Sequence, residues 1–178
     1  MVVLICVAGS IFGSLVFSYF FLWTVNGSPW PPPEVAVLPE PAMPVVAALL
    51  LVMSAVIVRI AYRALVRDHQ GGRAVLMLCV ANLFLAGGLA VEAWGQHAAG
   101  VVPTEHAYSA TIWTMLGLNA VLATTLTLMA GLCVARWFAG ILRPERRATF
   151  DCTTLLWQYA VVQALIGLAV VHLGPRLL

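Results

Sequence analysis

Cutting the sequence at every Asp, Glu and Arg leaves five long charge-free runs, 1–33, 41–58, 74–91, 106–135 and 152–175, the shortest of 18 residues. At about 1.5 Å rise per residue, an 18-residue helix covers roughly 27 Å, close to the thickness of a bilayer's hydrocarbon core. Each run therefore supplies one membrane span. With 62% hydrophobic and only 9% charged residues in 178, an ordinary soluble domain is excluded, since such domains carry roughly a quarter charged residues. The runs are continuous and lack the inside/outside alternation of barrel strands, which excludes a closed β-barrel. No basic region follows Met1 and the first apolar run is too long for a signal peptide, so none is expected.

The sequence predicts an all-α fold, a polytopic bundle of five transmembrane helices over about 2–25, 44–66, 74–95, 107–136 and 153–173. The connections are too short for a folded extramembrane domain, so residues 1–178 read as one domain. All nine basic residues are arginine. Arg59, Arg63, Arg67 and Arg73 surround the second connection and Arg136, Arg143, Arg146 and Arg147 fill the fourth. The first and third connections hold only Glu34, Glu40 and Glu105. The positive-inside rule then predicts a cytoplasmic N-terminus and an outer C-terminus. The arginines are explained by topology and lipid headgroups, and no nucleic-acid partner is expected.

Between the first two spans, Pro29, Pro31, Pro32, Pro33, Pro39, Pro41 and Pro44 predict a stiff extended strap over residues 26–44, because proline fixes φ and removes an amide donor. Gly71 and Gly72 are expected to break the helical pattern and make a tight hairpin. Haem and copper sites need histidines held on rigid helices. Here His69, His97 and His106 fall in connections or at helix ends, and His172 near the last boundary, where all four read as solvated or interfacial. Cys6, Cys79, Cys133 and Cys152 have no C-x-x-C spacing and read as small apolar fillers. No catalytic, cofactor-binding or metal-binding residue is expected.

Arg59 and Arg63, four residues apart, share a helix face and are expected to snorkel toward phosphates. Glu92 lies about one turn from the end of the third helix and is expected to be hydrogen-bonded at the outer interface. Arg59, Arg63, Glu92 and Trp30 are the candidate contacts with lipid or a partner chain. Ser10, Gly13, Ser14 and Ser18 place small residues at spacings that let helices approach closely. Asn82, Asn119, Gln158 and Gln163 are further polar residues within spans, again expected to serve packing.

Phe17-Ser18-Tyr19-Phe20-Phe21-Leu22-Trp23 followed by Trp30-Pro31-Pro32-Pro33 resembles the third helix and W-P-P loop of cytochrome c oxidase subunit III. Val91-Glu92-Ala93-Trp94, Tyr108-Ser109-Ala110-Thr111 and Leu155-Leu156-Trp157-Gln158-Tyr159 then resemble, in order, that family's Gln-x-x-Glu-Tyr, Tyr-Gly-Ser-Thr and Tyr-Trp-His-Phe segments. The likeness covers nearly the whole chain and is strongest to a short five-helix form, as in oxidases whose subunits I and III are fused. The chain departs from the pattern where Ser10 stands for the family's intramembrane glutamate, Asn119 and Leu122 for two histidines, and Gln158 and Val161 for a histidine and an aspartate.

The resemblance implies a non-catalytic accessory subunit of a respiratory haem-copper oxidase in a bacterial cell membrane. Such a subunit packs on catalytic subunit I, beside subunit II, and holds phospholipids. The haem and copper, and the reduction of oxygen coupled to proton pumping, belong to the partner chains. The alternatives are an accessory subunit of a quinol oxidase or nitric oxide reductase, or an autonomous small transporter or lipid-handling protein.

Overall fold

The computed structural model describes residues 1–26, 30 and 40–177. Five helices, each long and apolar enough to cross a membrane, carry nearly all of them. They are α1 (Val2–Asn26), α2 (Ala42–Val66), α3 (Gly71–Ala98), α4 (Ala107–Phe138) and α5 (Ala148–Leu168). The last continues through a π-helical turn at Ala169–Leu173 into a short α6, Gly174–Leu177. No strand is present among the described residues.

The expected spans all form, with ends that differ for local reasons. Most of the expected proline strap lies outside the described residues, but Pro44 belongs to the first turn of α2, where a missing amide donor breaks no bond. The Gly71–Gly72 break is corrected: both glycines start α3, and the chain turns two residues earlier, where His69 takes a left-handed φ of 54°. What these glycines provide is room. A Cβ on Gly72 would stand 3.1 Å from the Trp137 ring, and one on Gly71 3.3 Å from it. The fifth span starts earlier than expected, at Ala148, after a 3-10 turn at Pro144–Arg146.

α5 is the most buried helix and α1 the least, with 50% and 17% of their most apolar stretches buried. α5 packs on α2, α4 and, more lightly, α1, while α3 bridges α2 and α4. The tightest seam joins α2 to α3 and depends on small residues. A Cβ on Gly88 would meet Leu51 at 3.0 Å and the Ala47 carbonyl at 3.2 Å. Ala47, Ala61, Ala74 and Ala81 fill the same core with Leu51, Leu78 and Leu85. Lipid is as apolar as leucine, so close backbone approach rather than hydrophobic exclusion holds such helices together.

The small-residue face of α1 does not take part in this packing. Ser10, Gly13, Ser14 and Ser18 are exposed, and nothing lies within 4 Å of a Cβ placed on Gly13. The three hydroxyls donate to carbonyls one turn back, Ser10 to Cys6, Ser14 to Ser10 and Ser18 to Ser14, at 2.8–2.9 Å. Polar satisfaction inside the helix leaves this face able to meet lipid or another chain.

Candidate functional site

Three buried polar residues, Glu92, Gln96 and His172, collect near the α3 C-terminus. Glu92 sits 7% exposed in α3, and the π-helical turn at Ala169–Leu173 brings His172 against it. A π turn shifts the register of the side chains that follow it, and such turns recur at functional positions. The His172 Nε2 lies 2.9 Å from Glu92 Oε1, and the Gln96 amide donates to the same oxygen over 3.0 Å. Gln96 also touches His172 Nε2 at 3.3 Å.

This corrects the expectation for two residues. His172 is a buried partner of Glu92 and not a solvated or interfacial histidine, and Glu92 faces the bundle interior, where it meets this chain's own side chains. Charged groups within membrane spans are costly in lipid and turn inward toward partners for that reason. Sequence spacing gave no sign of the pairing, because 80 residues separate the two and the π turn sets the histidine's direction. Two buried atoms in the cluster, His172 Nδ1 and Gln96 Oε1, have no hydrogen-bond partner among the described residues. Native buried polar groups are nearly always paired, and outside this cluster the Ser109 hydroxyl is likewise buried without a partner among the described residues.

Glu92 and Asn119 both line a cavity of about 20 Å³, together with Leu51, Ile112 and Leu168. That is room for about one water molecule, with a carboxyl and an amide side chain among the lining residues. Asn119 accepts from the Gln163 amide at 2.9 Å, and Gln163 in turn accepts from the Tyr159 hydroxyl at 2.5 Å. Asn119, Gln163 and Tyr159 thus form a second hydrogen-bonded set, next to the first only in that Asn119 and Glu92 line the same cavity. Asn119 and Gln163, expected to serve packing, do so as one hydrogen-bonded unit.

A second cluster gathers aromatic residues. Tyr19 of α1, Trp30 and Tyr108 of α4 are all buried. The Trp30 indole donates to the Tyr19 hydroxyl at 3.1 Å, and its ring meets Tyr108 edge-on, with centroids 5.1 Å apart. Trp23 stacks on Trp30 at 6.1 Å. Trp30 is therefore an internal clamp between α1 and α4, and the expectation of a lipid or partner contact is corrected for it. Trp157 is likewise internal, donating to Ser54 at 2.7 Å, and Gln158 donates to the Ala55 carbonyl at 3.1 Å, so the two tie α5 to α2.

Of the expected surface contacts, Arg59 and Arg63 remain exposed. His69 and His97 are exposed, and His106 accepts from the Tyr108 amide as the α4 N-cap. Cys133 fills the core as expected, whereas Cys6 and Cys79 lie on the outer surface of the bundle. Among the described residues, no three His, Cys, Asp or Glu side chains gather closely enough to hold a metal ion. Compared with known proteins, the chain matches no family model and no curated sequence.

Proposed function

We propose that this chain is a non-catalytic accessory subunit of a respiratory haem-copper oxidase, similar to subunit III of cytochrome c oxidases. It sits in a bacterial cell membrane with its arginine-rich connections in the cytoplasm, its N-terminus inside and its C-terminus outside. It packs on the catalytic subunit and retains phospholipid there, while electron transfer and oxygen chemistry proceed on the haem and copper of the partner chains.

The observation that carries this reading is where its landmark segments lie. Tyr19, Trp30 and Tyr108, from three segments that resemble the subunit III pattern, meet in one buried cluster. Trp157, from a fourth, clamps α5 on α2, and Glu92, from a fifth, anchors the polar cluster. Segments far apart in the chain and alike in order to one family thus act together as the bundle's fasteners. The exposed small-residue face of α1 adds a surface suited to close approach by a helix of another chain.

Purification of the native complex in mild detergent through a tag on this chain tests the proposal. Co-purification of a larger subunit with a haem-copper spectrum is expected, together with loss of oxidase integrity when this chain is deleted. Migration of the chain alone, with an oxidase that stays complete without it, would overturn the proposal.

A further inference from the structure

Asn119, Gln158 and Gln163 spend their carboxamides inside the bundle, on one another or on α2. Asn82 does not. It lies within about 4 Å of the middle of α3, at a depth that water does not reach, and it is only half-buried. Its Oδ1 accepts from the Thr127 hydroxyl of α4 at 3.0 Å, and Asn82 makes no other side-chain hydrogen bond among the described residues. Thr127 shares that proton with the Ala123 carbonyl at 2.9 Å. A carboxamide carries two donors and two acceptor sites, so a single bond leaves at least one N–H and one oxygen lone pair over, whichever way round the amide stands. Around this pair the surface is made of small side chains. Cys79 and Ala86 stand three residues before and four after Asn82, and Thr124 and Gly131 three before and four after Thr127, so each trio shares one helix face. All four flanking residues are at least partly accessible, and nothing lies within 4 Å of a Cβ placed on Gly131.

We propose that this α3–α4 face binds a second copy of the same chain, with the two Asn82 carboxamides hydrogen-bonded to each other across a twofold axis normal to the membrane. Such an axis keeps every residue at its own depth, so Asn82 of one copy meets Asn82 of the other. A carboxamide is its own complement. The N–H of each donates to the Oδ1 of the other, and the reciprocal pair uses the donor and the lone pair that Thr127 leaves over. Lipid tails offer neither a donor nor an acceptor, so a carboxamide turned toward them stays unsatisfied at a cost that a facing polar group removes. A different chain would need a matching group at the same depth, which a second copy brings by symmetry. The small flanking residues let the helices of the two copies come close enough for that contact. The inference needs only a membrane-spanning chain and stands apart from partnership with an oxidase, which is assigned to the face of α1.

The full chain, labelled on a terminal tag and reconstituted into phosphatidylcholine liposomes over a range of densities, is read by single-molecule photobleaching. The share of paired labels is expected to rise with density along a monomer–dimer isotherm. Asn82→Ala should weaken the dimer about tenfold, the effect of losing hydrogen bonds across a membrane helix interface, whereas Asn82→Gln, which keeps the carboxamide, should retain most of it. Gly131→Leu keeps Asn82 and adds bulk where this chain leaves open space. It should abolish the dimer while the thermal unfolding midpoint of the monomer stays unchanged. In native membranes, with Cys6→Ser in place, a short bismaleimide should join two copies through Cys79, and Cys79→Ser should remove the product. A chain that is monomeric at every density would overturn the proposal, as would an undiminished dimer in Asn82→Ala or Gly131→Leu. Crosslinking of Cys79 to a different polypeptide instead would assign the face to that chain and refute self-association.

Discussion

The Glu92–His172 contact is the point at which one side chain most depends on another. Both groups are buried, and each satisfies the other where water cannot. Removing one partner strands the other, which typically costs about 1–3 kcal/mol for a buried polar group. His172→Phe should therefore lower the thermal unfolding midpoint in detergent clearly, while Glu92→Gln, which keeps a hydrogen-bonding oxygen, should lower it less. A double-mutant cycle between these changes should give a coupling of about 0.5–3 kcal/mol. Coupling near zero would mean that the two residues contribute independently and that the 2.9 Å contact does not hold α5 to α3.

Trp157 makes a comparable point inside the α2–α5 seam. Its indole proton goes to Ser54, and neither residue is accessible to solvent. Trp157→Phe leaves the hydroxyl without its donor and opens space beside it, so a loss of about 1–3 kcal/mol is expected. Adding Ser54→Ala should recover part of that loss, because no polar group then stays unpaired. If the double variant is less stable than Trp157→Phe alone, the hydrogen bond is not what the tryptophan contributes.

Among the elements, the α2–α3 pair packs most tightly at Gly88, the glycine with least room for a Cβ among the described residues. Leu51 lies 3.0 Å and the Ala47 carbonyl 3.2 Å from the position of an added Cβ, and the carbonyl belongs to backbone that cannot swing aside. Gly88→Val should force the helices apart at a cost of about 1–3 kcal/mol, as overpacking usually does. Gly117→Val, on the next helix with nothing within 4 Å, serves as the matched control and should be nearly silent. Thermal unfolding of both variants in the same detergent decides the matter. Equal midpoints would show that the seam adapts without strain.

At the scale of the whole molecule, α1 is the least buried of the five long helices, with 17% of its most apolar stretch buried. The proposed oxidase partnership gives its exposed face a use. Ser10→Ala preserves a small side chain and should leave oxidase turnover and its pH dependence nearly unchanged, since a serine cannot carry a proton as a carboxylate does. Ser10→Leu or Gly13→Leu adds bulk where a partner helix must come close and should loosen the subunit from the complex. Turnover measured beside subunit retention separates the two roles. If Ser10→Ala abolishes proton uptake while the subunit stays bound, α1 takes a direct part in proton delivery and the packing role fails.

The existence of the five spans was legible from the charge-free runs, because an unpaired charge in lipid is costly, although Arg59 and Arg63 fall inside α2 and Glu92 inside α3. The exposure of Arg59 and Arg63 followed from their four-residue spacing and the reach of their side chains. Local rules could not settle what depends on residues distant in the chain. Gly71 and Gly72 read as a hairpin, yet they begin a helix, and Trp137, more than 60 residues later, occupies the space their missing side chains leave. His172 read as solvated because its burial follows from a π turn and from a carboxylate 80 residues earlier. Hydrophobicity acts residue by residue and is written along the chain, so it determined which segments cross the membrane. Side-chain pairing acts across space, and only the packing of the helices decided which polar groups meet.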